Sequence, residues 1–97
     1  MTLEQFTQGL AEHAAKVPPF GKSIQFQFPE GSVTIDGSGE QTRVHNDPVE
    51  ADTTIISKLE HVDRMRRGDL NPMTAMMTGK LKIKGDMGLA MRLKDLM

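Results

Sequence analysis

The sequence predicts an α+β domain in which one five-stranded sheet is covered by helices on a single face. Three observations predict it. The 97 residues are 37% hydrophobic and 26% charged, a balance that suits one globular core rather than a disordered chain. The segments that read as strands alternate apolar and polar residues, so each has one face to bury. Segments with helical spacing precede, interrupt and follow them, as helices packed on one side of a sheet require. Length alone makes residues 1–97 a single domain. Area scaling gives a folded surface of roughly 5,500 Å² against about 15,500 Å² unfolded, enough burial for one core without staples.

The elements follow in order. Thr2, with Gln5 three residues on, forms a capping-box pattern ahead of a helix over 3–16, with Leu3, Phe6, Leu10 and Ala14 at helical spacing. Pro18 and Pro19 stop it. Ser23–Phe28 is a strand with Ile24, Phe26 and Phe28 on one face. Pro29-Glu30-Gly31 turns the chain into a second strand carrying Val33 and Ile35, and a weaker third follows around Thr42 and Val44. Ala51–Ser57 is a fourth strand on its β-branched content. Ser57 is placed to cap a helix over 58–67, which Gly68 ends. Asn71 caps a short helix with Pro72 at its first position, running to Met77 or Thr78 before Gly79. Leu81 and Ile83 alternate with Lys80, Lys82 and Lys84 in a fifth strand, whose lysine face marks it as an edge. Asp86 begins a last helix towards the C-terminus. The sheet face away from the helices is expected to be wet.

The residues offer no enzymatic constellation. Without cysteine there is no thiolate nucleophile, disulfide or cysteine zinc site, and a reducing, cytoplasmic location is expected. His13, His45 and His61 have no metal-ligand spacing and read as surface histidines. Thr74 and Leu81 break the phosphate-loop pattern around Gly79-Lys80, and Gly85-Asp86-Met87-Gly88 lacks the dinucleotide glycines. No catalytic residue, metal ligand or cofactor is assigned. No stretch reaches the roughly 20 apolar residues of a membrane span. The net charge of −1 conceals −5 over residues 1–57 and +4 over 58–97. Arg64, Arg66 and Arg67 beside the lysine strand raise nucleic acid as a partner, but all four Phe lie within the first 28 residues and Tyr and Trp are absent. No stacking platform accompanies the basic region, so no nucleic-acid partner is expected. Weak contact with an anionic membrane surface suits the basic segment better.

Apolar excess is the more specific signal. Every Met after Met1 falls in the last third, and Met87, Leu89, Ala90, Met91, Leu93, Leu96 and Met97 spread around nearly the whole last helix. Met73, Met76 and Met77 share one face of the short helix before the fifth strand, directed towards the last helix. Such a region is either packed core or a pocket that adapts to an apolar guest, to which the flexible, polarizable thioether is suited.

Ala51-Asp52-Thr53-Thr54-Ile55, Gly68-Asp69-Leu70-Asn71-Pro72 and Gly79-Lys80-Leu81-Lys82-Ile83-Lys84-Gly85-Asp86-Met87-Gly88-Leu89-Ala90-Met91 resemble, in order and spacing, the sterol carrier protein-2 family of lipid-binding domains. The resemblance spans residues 3–96. It implies a largely antiparallel five-stranded sheet and an apolar tunnel between sheet and helices holding a fatty acid, acyl-CoA, sterol or quinone-like lipid without chemical reaction. Carried over by position, the lining is Ile55, Leu59, Met73, Met76, Met77, Leu81, Ile83, Met87, Leu89, Met91 and Leu93. Asp63 and Arg66 stand where relatives often carry apolar residues, which implies a smaller cavity. A chain ending soon after its last helix implies a short lid, and its minimal form is similar to a bacterial stand-alone member. The expected function is non-enzymatic lipid binding or transfer. The alternative is an interaction or homodimerisation module that uses the apolar last helix and holds no lipid.

Overall fold

A computed structural model describes residues 1–91, the side chain of Met91 excepted. The nine elements are α1 (Leu3–Ala14), β1 (Ser23–Phe28), β2 (Gly31–Asp36), β3 (Arg43–His45), β4 (Thr53–Ser57), α2 (Leu59–Arg66), α3 (Pro72–Met77), β5 (Leu81–Gly85) and α4 (Met87–Met91). The strands form one sheet in the order β3-β2-β1-β4-β5. Three pairings are antiparallel and β1–β4 is parallel. The α+β class, the five strands and the edge position of β5 are as the residues predict.

α1 starts on the predicted capping box: the Thr2 hydroxyl accepts from the Gln5 backbone N–H, and the Gln5 side chain accepts from the Thr2 N–H. It ends at Ala14, two residues early, because Lys16 and Val17 bond back three residues to His13 and Ala14 and tighten the chain ahead of the prolines. Phe6 seals α1 to the sheet by edge-on contact with Phe26 and Phe28 at 5.1 and 5.2 Å. Leu10, Ile24, Val33 and Ile35 fill the space beneath this helix. The β1–β3 half of the sheet is thus covered by α1 and closed by aromatic packing.

The far face departs from expectation. β3 and β4 lie on opposite sides of the β2–β1 pair, so the connection over residues 46–52 must cross both strands. It crosses on the face away from α1, where the Gln25 amide donates to the Val49 carbonyl at 2.6 Å. Gln25 and Thr34 are therefore buried rather than wet, and they satisfy each other through a 3.3 Å hydrogen bond.

α2 also starts differently from its predicted cap. Lys58 occupies the cap position without a side-chain bond, while the Ser57 hydroxyl donates to the Lys80 carbonyl at 2.7 Å and ties β4 to β5. α2 and α3 finish alike. Gly68 and Gly79 have φ of +82° and +76°, and the N–H groups of Gly68, Asp69, Gly79 and Lys80 return to Met65, Arg64, Met76 and Ala75 in two Schellman motifs.

Candidate functional site

The β4–β5 half of the sheet is covered by short elements, with α3 against β5 and α4 against β4 and β5. Apolar side chains there are graded from buried to exposed. Ile55, Leu59, Leu81 and Leu89 belong to the core, and Ile83 and Met76 pack against it half-buried. Met87, Met73 and Met77 are 46%, 58% and 83% exposed. Met91 and Leu93 complete the predicted lining, but the Met91 side chain and Leu93 lie outside the described residues. So do Arg92, Lys94, Leu96 and Met97, and with them the spread of apolar residues around the last helix.

The sequence places Met73, Met76 and Met77 together facing the last helix, whereas the structure divides them. Ala75 is the residue of α3 that is fully buried. A helix of six residues turns little more than one side to a sheet, and a methyl group lets its backbone approach closely. Met73 and Met77 are left outside.

α4 is held at its start by a polar clamp. The Asp86 carboxylate accepts from the Leu89 N–H at 3.0 Å and so caps the helix that carries Leu89 into the core. Lys22 pairs with the same carboxylate. The Lys22 hydrogen bond, then the Leu89 N–H, holds the Asp86 carboxyl below the usual carboxylate range. The Asp86 N–H donates to the Asp52 carbonyl at 3.0 Å, and the Thr53 hydroxyl donates to the Asp86 carbonyl at 2.8 Å. Asp52 is fixed in turn by the N–H of Ser23 at 2.8 Å.

Basic residues near the site are partly committed. Asp63, on α2, pairs with Arg66 at 2.8 Å and Arg67 at 3.4 Å, and the Arg66 hydrogen bond lowers its carboxyl. Lys82 and Lys84 lie exposed on the face of β5 away from the helices. His61 is not a surface histidine: it is half-buried, and its Nδ1 has no hydrogen-bond partner among the described residues. No group of three or more His, Cys, Asp or Glu is placed to hold a metal ion among the described residues, and none of their helices is long and apolar enough to cross a membrane.

Lipid binding and transfer is the class of function to which the relatives of a chain with this fold point. Residues 3–97 match the profile of the SCP-2 sterol transfer family, and the chain belongs to that family. It is 35% identical over 97 residues to sterol carrier protein 2 of Bos taurus, covering 96% of this chain and 17% of the bovine one, so it corresponds to one part of a much longer protein. The solution structure of the sterol carrier protein domain 2 of Helicoverpa armigera is similar at 32% identity with a TM-score of 0.64, over 97% of this chain and 75% of that one. Sterol carrier protein 2 like 2 from Aedes aegypti shares the fold, with a TM-score of 0.76 at 18% identity over 98% and 95% of the two chains. Domains of this family are generally carriers rather than enzymes.

Proposed function

We propose that this chain binds and transfers a single-tailed or ring-based lipid, a fatty acid, acyl-CoA, sterol or quinone-like molecule, without reacting with it. The tail lies between the β4–β5 half of the sheet and α3 and α4, against Ile55, Leu59, Leu81, Ile83, Met76 and Leu89. The observation that carries this reading is the gradient of apolar exposure from that buried group to Met73, Met77 and Met87. Burying about 16 methylenes supplies roughly 12 kcal/mol before ordering and association costs, and micromolar binding needs about 8.

Native mass spectra before and after denaturation, with analysis of an organic extract, test the reading. The expected result is a stoichiometric adduct, lost on unfolding and matched by a lipid in the extract. A bare mass that also refuses added fatty acid and quinone overturns it. The exposed methionines favour one second reading, self-association through that rim, which concentration-dependent mass by light scattering together with an empty site would support.

A further inference from the structure

A concavity separate from those apolar residues lies at the end of the sheet where β1 and β4 finish and β5 begins. It measures about 420 Å³ and is bordered by Lys58, His61, Lys80, Lys82, Gln27 and Ile56 among others. Lys82 is the register partner of Ile56, which is the partner of Gln27, so these three form one row across β5, β4 and β1. Lys58 and Lys80 each lie one residue beyond the last β4–β5 pair, Ser57 with Leu81. The Ser57 bond to the Lys80 carbonyl and the Schellman motif ahead of Lys80 fix the backbone between them. Three lysines thus border one groove on a fixed backbone frame. No acidic side chain borders the groove, and none of the three lysines forms an ion pair among the described residues.

Like charges placed across neighbouring strands destabilise a sheet, and Glu60, in the first turn of α2, forms no ion pair with them among the described residues. His61 also borders the groove, though its unpartnered Nδ1 is sealed beneath the surface and out of a ligand's reach. An oxyanion held among Lys58, Lys80 and Lys82 relieves that repulsion. We propose that the groove binds the phosphate of an organophosphate, with its organic portion lying against Pro29 and Ile56. The volume exceeds what a bare phosphate needs and falls within the range of small-molecule sites. The positive end of α2, which starts at the groove beside Lys58, favours the same charge. The phosphate comes either from a soluble ester or from a lipid headgroup. The inference stands without the lipid reading, since the groove and the apolar site share none of the lysines.

Inorganic pyrophosphate titrated into isotope-labelled protein and followed by amide chemical shifts tests the first source. Cosedimentation with phosphatidylcholine vesicles, with and without phosphatidylglycerol, tests the second. Lys58→Gln and Lys82→Gln are each expected to weaken binding about fivefold, while Lys84→Gln, on the same strand and face but outside the groove, leaves it within about twofold. That pattern with pyrophosphate alone identifies a soluble phosphate as the ligand, and with phosphatidylglycerol vesicles a headgroup. A Lys84→Gln loss equal to that of Lys82→Gln means attraction to a charged surface and overturns the proposal. So does the absence of saturable binding to either probe.

Discussion

At Gly85 the backbone has φ of +95°, and a Cβ there would meet the Asp52 carbonyl oxygen at 2.3 Å. Two separate costs therefore fall on any side chain at this position, the left-handed conformation and a collision with backbone that cannot swing aside. Gly79 carries only the first, because a Cβ there meets nothing within 4 Å. Gly85→Ala is accordingly expected to destabilise by about 2 kcal/mol or more and Gly79→Ala by about 1, measured by urea unfolding of each variant. Equal losses would mean that the approach of Asp52 is not what selects glycine. Close fit and the left-handed backbone thus account for glycine at position 85. Such residues were partly legible in the sequence. Asn71, Gly68 and Gly79 act through neighbours two to five positions away, and Pro72 through its own fixed φ, so their roles at the helix ends can be read locally. Ser57 was not readable in this way, because its hydroxyl serves Lys80, 23 residues on.

Among the elements, α4 depends on contacts distant in sequence. Its first turn is held by Asp86, which joins Lys22 from the segment before β1 and Asp52 and Thr53 from the start of β4. The Ala51–Ile55 and Gly85–Met91 motifs are therefore two sides of one joint. The Asp86 carboxyl has a folded-state pKa below its unfolded value, so the unfolded chain takes up a proton more readily. Its stabilising contribution is complete above the ordinary carboxylate range and is lost as pH falls through the lowered folded value. Asp86→Asn keeps an oxygen for the cap but cannot ionise. The wild type is expected to melt higher than this variant near neutrality, and the gap to close on acidification to about pH 2. A gap independent of pH would remove the ionised pair with Lys22 from the account. Strand existence was legible, since β1, β2, β4 and β5 alternate or carry β-branched residues. Strand partnership was not: the parallel β1–β4 pairing, and with it the crossover that buries Gln25 and Thr34, depends on which side of β1 the chain returns to. The groove of Lys58, His61, Lys80 and Lys82 was hidden for the same reason. Its residues are ordinary singly and meet only through that register.

At the scale of the whole molecule the two halves of the sheet differ in how they are closed. Under α1 three phenylalanine rings lock the packing, and rigid aromatic cores resist an inserted guest. Over β4 and β5 the roof is made of short helices that turn Ala75 and Leu89 inward and leave unbranched methionines at the rim, which change shape at little cost. The composition already separated these halves, with every Phe before residue 29 and the methionines after residue 64, apart from Met1. Which methionines face inward was not legible, because α3 is too short for periodicity to orient it. If the exposed rim is where a lipid enters, its residues belong to transfer and not to folding. Met73→Gln with Met77→Gln is therefore expected to change stability by no more than about 0.5 kcal/mol, since both side chains are already in solvent. Movement of a fluorescent fatty acid from vesicles to the protein should slow markedly in the same variant, with equilibrium binding nearly kept. Met76→Gln, at the half-buried position of α3, should instead weaken equilibrium binding, because an amide replaces a thioether against the tail. Unchanged transfer in the double variant would mean that lipid enters elsewhere, whereas a loss of stability would mean that Met73 and Met77 serve the core after all.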